Sequence, residues 1–280
     1  MADKSFTFSA ENLLDTEPEP FTKLDSLNSR SVWFVTCDHA SNLVPKHMNN
    51  LGITSTEMNR HIGWDIGALG VAKELSKILD ARLISGNYSR LIVDLNRPTS
   101  SPTFIPKTAD GTPIPANINI SEKEKKERTI FFHKEYHLNI EKWLDRLILE
   151  GVIPVIIAIH SFTPVFQNFR RPWHIGLLYE HDQRFVLPLR NELLLRNSNL
   201  IIGDNQPYAI RGPSDFTIPV HGQARGLPHI EIEVRQDLIE IPENQKIWAH
   251  ILASALLSVI ENNQPFGIIN NVDRKSHIIS

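Results

Sequence analysis

Cysteine is almost absent from this chain, which holds only Cys37. One thiol excludes an intrachain disulfide and a multi-cysteine zinc knuckle. Cys37 also sits inside an apolar run, where a thiol reads as core rather than nucleophile. No stretch approaches eighteen consecutive apolar residues, so no membrane span is expected. The opening M-A-D-K-S-F lacks the apolar centre of a secretory signal, which makes the cytoplasm the expected location. There is no basic stripe, and the formal net charge of −3 argues against a nucleic-acid partner. Also missing are H-E-x-x-H, a P-loop, G-x-G-x-x-G and G-x-S-x-G, the short signatures of several common enzyme classes. No internal repeat or low-complexity linker divides the chain.

What remains is ordinary for a soluble enzyme: 280 residues, 41% apolar and 22% charged, enough to bury a full core. Residues 1–28, with Glu17-Pro18-Glu19-Pro20, read as a loosely ordered arm. A buried strand over 31–37 (S-V-W-F-V-T-C) delivers Asp38 and His39 at its carboxyl end, the edge where open α/β sheets collect chemistry. Asp65 stands in N-cap position before a helix whose inner face carries Ala68, Val71, Ala72, Leu75 and Leu79. Strands are expected at 81–85 and 91–95, around Gly86-Asn87. The proline-rich stretch 102–119 reads as a surface loop, a candidate lid. A capping box at Ser121-Glu122-Lys123-Glu124 opens a helix through Phe132, Tyr136, Ile140, Trp143 and Leu147, and Gly151 stops it. The most apolar run, 152–159, is the expected central strand and delivers His160-Ser161. A strand at 175–179, a helix at 184–196, a strand at 230–234 and a helix at 243–261 follow, then a tail at 265–280. This alternation predicts a single α/β domain over 29–264, with a mixed, mostly parallel sheet flanked by helices.

Candidate chemistry gathers at strand ends. In N-Y-S-R-L-I-V-D-L-N-R-P (87–98), Arg90, Asp94, Asn96 and Arg97 form a set suited to capturing a carboxylate. The same residues also admit a plainer reading, with Arg90 and Asp94 as a buried salt bridge and Asn96 as a turn residue. Glu231 and Glu233 occupy one face of a strand, an unusual place for two carboxylates unless that face meets a site or they pair with Arg225 or Arg235. Two histidines, a carboxylate and a further glutamate are the inventory of a mononuclear zinc hydrolase. His39 and His160 are the strand-end histidines, while His61, His174, His221 and His229 are alternatives and Asp65 could serve only as a cap.

Four segments together resemble the N-formylglutamate amidohydrolase family: V-T-C-D-H-A-S-N-L-V-P (35–45), Y-S-R-L-I-V-D-L-N-R-P (88–98), I-H-S-F (159–162) and I-E-I-E-V-R-Q-D-L-I (230–239). The family looks related to zinc carboxypeptidases and aspartoacylase-like deacylases, so the resemblance implies a zinc-exopeptidase-like, phosphorylase/hydrolase-like fold. It implies His39 and His160 as ligands of one divalent metal, zinc by analogy. It implies Arg90, Asn96 and Arg97 as binders of a substrate carboxylate or developing oxyanion, and Glu233 as general base. The carboxypeptidases complete their metal set with a glutamate where this chain has Asn42; a neutral amide is a poor zinc ligand, so the third ligand is assigned to Asp65. D-H-A-S in place of P-H-S-G, and Glu231 where glutamine is expected, mark a divergent branch. The implied activity is hydrolysis of an N-acyl acidic amino acid such as N-formylglutamate, a small-molecule substrate. Another zinc deacylase or small peptidase, and a non-catalytic carboxylate-binding protein, are the competing readings.

Overall fold

The protein is described by a computed structural model covering residues 7–28, 30–210, 214–262 and 266–269. Residues 1–6 of the expected arm and most of the expected tail lie outside the described residues. Seven strands form one sheet in the order β1 (Phe21–Leu24), β3 (Arg82–Gly86), β2 (Trp33–Cys37), β6 (Val155–Phe162), β11 (His229–Arg235), β9 (Ile175–Leu178), β10 (Ile202–Asp204). β3, β2, β6 and β11 run parallel, β1 is antiparallel to β3, and β9 and β10 run against β11. Two short hairpins, β4 (Thr108–Ala109) with β5 (Thr112–Pro113) and β7 (Val165–Phe166) with β8 (Phe169–Arg170), stand apart from the sheet.

Both faces of the sheet are covered, and for this reason β2 and β6 read as continuous apolar runs. The pleat sends Trp33, Val35 and Cys37, with Val155, Ile157 and Ile159, to one core. There they meet α2 (Ala68–Leu79), α6 (Val186–Arg196) and α7 (Pro242–Asn262) through Leu75, Leu189, Leu252 and Leu256. Phe34, Ile156 and Ala158 face the second core, against Tyr136, Ile140, Trp143, Leu144 and Leu147 of α5 (Glu135–Leu149). Each fully buried aliphatic side chain contributes about 1.5–3 kcal/mol, so the two cores fix the sheet's position firmly. The remaining short helices are α1 (Ser55–Met58), α3 (Pro115–Ile118) and α4 (Glu122–Arg128). No helix among the described residues is long and apolar enough to cross a membrane.

Four local expectations are corrected. Residues 91–95 are not a strand. Leu91, Ile92, Val93 and Leu95 are buried as an apolar run should be, but the backbone groups are met by turns and side chains. The Ile92 amide donates to Ser89 O, Asp94 N donates to Phe104 O, and the carbonyls of Leu91 and Ile92 accept from Asn117 and Arg128. Burial alone cannot distinguish such a segment from a strand. Nor is 102–119 a loose lid, because Phe104, Ile114 and Asn117 are buried and Asn117 ties together the carbonyls of Leu91 and Pro106. Ser121 does cap α4, accepting from Glu124 N at 3.2 Å, but the Glu124 side chain turns to Phe8 N and Arg128, and a π-helical stretch at Thr129–Lys134 separates α4 from α5. Finally, Gly67 rather than Asp65 caps α2, in a left-handed conformation (φ 81°) that glycine adopts without strain. This frees the Asp65 side chain to point elsewhere.

Candidate active site

Because β2, β6 and β11 are parallel, their carboxyl ends share one edge. The chain leaves β2 at Cys37 and places Asp38 and His39 there. β6 continues past its expected end to Phe162, so His160 lies within the strand, on the face of Ile156 and Ala158. In β11, Ile230, Ile232 and Val234 take the other core, which turns Glu231 and Glu233 to the His160 face. Register sets Glu233 beside His160 on one side and Gly176 on the other. A Cβ at Gly176 would collide with the Gln206 carbonyl while only touching Glu233 Cβ.

The arrangement around Asp65 is the centre of the site. His160 Nδ1 lies 2.8 Å and His39 Nδ1 3.3 Å from the same oxygen, Asp65 Oδ2. The three side chains are buried, and their candidate ligand atoms all lie within 4.8 Å of one another, a group that could hold a metal ion. Each imidazole has a second carboxylate at its far nitrogen. His39 Nε2 is 2.7 Å from Asp94 Oδ1, and His160 Nε2 is 3.4 Å from Asp38 Oδ2. A carboxylate behind each ring is the usual support for a metal-binding histidine, since it fixes the tautomer and turns the other nitrogen to the ion. The supports are themselves held: Tyr136 donates to Asp38 Oδ1 at 2.7 Å, and Arg90 donates to Asp94 Oδ2 through Nε (3.0 Å) and Nη2 (2.6 Å). Arg90 Nη1 also reaches Asp65 Oδ1 at 3.5 Å.

Burial and charge divide the acids into two kinds. Burial alone would raise Asp65 and Asp94, yet the charges and hydrogen bonds of His39, His160 and Arg90 hold both well below the usual carboxylate range. Burial pushes Glu231 and Glu233 up to about 8, and the charge of His160 only partly offsets it. His160 is raised well above an ordinary histidine: burial opposes its charge, but Glu231, Asp38 and Asp65 outweigh that. Glu233 Oε2 is buried with no hydrogen-bond partner among the described residues.

The other expected residues separate. Asn96 is buried; its Oδ1 accepts from Phe216 N and Thr217 N, and its Nδ2 faces Glu231 Oε2 at 3.5 Å. Arg97 turns to Asp215 Oδ1 at 2.8 Å. Asn42 donates to Asn59, away from the cluster. Of the alternative histidines only His61 approaches it, 3.8 Å from Asp65 Oδ1, and burial pushes its ring down to about 4. His174, His221 and His229 engage Ile201, His137 and Leu227. Neither glutamate pairs with Arg225 or Arg235, which bind Asp145 and Asp237.

The sequence profile of the N-formylglutamate amidohydrolase family matches residues 31–240, which include every residue of the cluster. The chain belongs to the N-formylglutamate amidohydrolase family. It is therefore a hydrolase acting on an amide bond. Among solved structures, a gene product of Agrobacterium tumefaciens is similar at 29% identity with a TM-score of 0.84, over 89% of this chain and 99% of that one. An N-formylglutamate amidohydrolase from Ralstonia eutropha JMP134 shares the fold at 16% identity with a TM-score of 0.64, over 87% of this chain and 98% of that one. No curated protein matches the sequence significantly. For this member of the amidohydrolase family, sequence reasoning missed Asp38, which backs His160, Tyr136, which holds Asp38, and Arg171, whose charge acts on Glu233. Asp38, directly before His39 at a strand end, was the readable signal; Tyr136 and Arg171 reach the site only through tertiary packing.

Proposed function

We propose that this chain is a cytoplasmic, metal-dependent amidohydrolase that removes a small acyl group, formyl foremost, from an N-acylated acidic amino acid such as N-formylglutamate. Water adds across the C–N bond, releasing the amino acid and a carboxylic acid. One observation carries the reading: two imidazole Nδ1 atoms converge on one oxygen of Asp65, and each ring is backed by a further aspartate. Two nitrogens and one carboxylate form a donor set suited to catalytic zinc, which takes three protein ligands and a water. A divalent metal held by His39, Asp65 and His160 would supply Lewis acidity toward the acyl oxygen and acidify the attacking water.

The chain's own residues do the rest. Glu233 takes the proton of the attacking water and passes it to the leaving nitrogen. Its proton affinity, near 8, suits a group that must both accept and donate close to neutral pH. Arg90, fixed by Asp94 and Asp65, presents positive charge where the oxyanion develops. Asn96 has its carbonyl pinned by two backbone amides, which aims its Nδ2 inward, and with Arg97 it binds the substrate's α-carboxylate.

The test is metal analysis together with a substrate panel. About one metal ion per chain is expected, with hydrolysis of N-formylglutamate lost on chelation and restored by zinc. His39→Ala and His160→Ala should each lose the metal. Hydrolysis that survives complete chelation would refute the metal role. Cleavage of dipeptides but of no N-acyl amino acid would instead make the chain a peptidase.

A further inference from the structure

Among the described residues three arginines are buried, and two of them have carboxylate partners: Arg82 pairs with Asp25 and Arg128 with Glu124. Arg171, 4% exposed, has no carboxylate within ion-pair distance among the described residues. Its guanidinium meets only neutral groups. Nη1 donates to Thr163 O and Oγ1, both at 3.2 Å, and Nη2 donates to Tyr208 Oη at 3.1 Å. The rings of Tyr208, Phe166 and Phe162 lie 4.9, 5.0 and 5.7 Å from its Cζ. Aromatic faces ease the burial of a cation, but an uncompensated buried charge remains costly and favours the arrival of an anion.

The position of this charge is informative. Phe162 follows His160 by two residues in β6, so it projects from the same face roughly 7 Å farther toward the carboxyl edge. Arg171 covers that ring, one strand step beyond the metal-binding cluster. Its field reaches Glu233 and His61. The other arginines of the site are already matched, Arg90 by Asp94 and Asp65, and Arg97 by Asp215.

We infer that Arg171, steadied by Tyr208, is the recognition point for the side-chain carboxylate of the substrate and sets the preference for an acidic amino acid. This rests on the reading of the chain as an N-acyl amino acid hydrolase. An α-carboxylate sits on the carbon that bears the scissile nitrogen, so its binder must stand close to the cluster, as Asn96 does. A side chain of two methylenes and a carboxylate spans the further step to Arg171. The guanidinium offers a fork to that carboxylate without breaking an existing ion pair.

The experiment compares N-formylglutamate with N-formylglutamine in the metal-loaded wild type, Arg171→Gln and Arg171→Lys. Losing a charge-assisted contact to the bound substrate should lower kcat/KM for N-formylglutamate about 10- to 100-fold in Arg171→Gln, mainly through KM. N-formylglutamine should change little, so the wild-type preference between the two collapses. Arg171→Lys keeps the charge and should recover part of that preference. Melting temperatures and metal content identify any variant that fails to fold, and Arg171→Lys then carries the comparison. Equal losses on both substrates, or no loss on either, would overturn the assignment. If the wild type hydrolyses neither compound, the functional reading fails, and glutarate binding measured by calorimetry decides Arg171 alone. Binding weakened in Arg171→Gln supports the anion site, whereas unchanged or absent wild-type binding removes it.

Discussion

Asp94→Asn tests the site most sharply, because Asp94 serves two neighbours with two different oxygens. Oδ1 lies 2.7 Å from His39 Nε2 and also accepts from Asn96 N at 2.9 Å, while Oδ2 takes both Nε and Nη2 of Arg90. An asparagine in the same pose has only one acceptor. With its oxygen toward His39, its NH2 faces the Arg90 donors; turned the other way, it presents a donor to His39 Nε2. Either pose breaks a buried contact, and the first still replaces a charge-assisted bond with one about half as strong. Loss of such support typically lowers metal affinity about 10- to 100-fold, roughly 1.4–2.8 kcal/mol at 1.4 kcal/mol per decade. Orphaning one partner of a fully buried ion pair costs about 3–5 kcal/mol. Arg90, 20% exposed and with Asp65 in reach, should fall below that range. Competition for zinc against a chromogenic chelator measures the affinity, and thermal melts of the metal-free protein measure the stability. Asp38→Asn is the internal comparison, since Asp38 backs His160 at the longer 3.4 Å and should cost less affinity. Folded Asp94→Asn protein with affinity within about twofold of wild type, or a larger loss from Asp38→Asn, would refute the reasoning.

Glu233→Gln should retain metal and lower turnover by about 10² or more, the usual scale for removing a positioned base; a mild Glu233→Gln beside a severe Glu231→Gln would move the base two residues along the same strand face. The pH dependence of metal-free stability follows from the same carboxyls. Folding raises Glu231 and Glu233 from an ordinary glutamate value to about 8, so they favour the folded state below about pH 4.5 and that contribution is lost as pH rises through 8. His160, raised above its ordinary value, adds a loss of the same sign above about pH 6.5. Above about pH 7 the buried histidines held below their ordinary value are neutral in both states and add no slope, so melting temperatures of chelator-treated protein should fall between about pH 7 and 8.5, and the Glu231→Gln, Glu233→Gln double variant should flatten the slope; an unchanged slope would contradict the burial argument.

The sequence made some parts of this fold easier to read than others, for physical reasons. β2 and β6 announce themselves as apolar runs because they are buried on both faces, β11 announces itself by strict alternation of Ile230, Ile232 and Val234 with Glu231 and Glu233, and their shared direction brings His39, His160 and Glu233 to one edge. Residues 91–95 mislead because apolar content records burial, not hydrogen-bond partners; the partners here are Asn117 and Arg128, far along the chain. Asp65 was legible as a residue before a helix, but Gly67 performs the capping, which only the backbone conformation reveals. Arg171 was not legible at all. What distinguishes it is a missing counter-ion, and no local pattern records a missing contact.

The charges of the site explain why so many acids can be buried together. Asp38, Asp65 and Asp94 are all held below their ordinary values, so the cluster carries three negative charges at neutral pH. Arg90 supplies one positive charge. A proton on His160 neutralises one more. Metal binding requires His160 to give up that proton. A divalent ion held in its place by His39, His160 and Asp65 would, together with Arg90, match the charge of the three aspartates. A monovalent ion would not. Glu231 and Glu233 would add two further negative charges to a buried site already in balance, consistent with burial holding both near 8 rather than in the usual carboxylate range. Under the proposed reading, one of them would act as a base near neutral pH while a divalent ion and Arg90 matched the charge of the three aspartates.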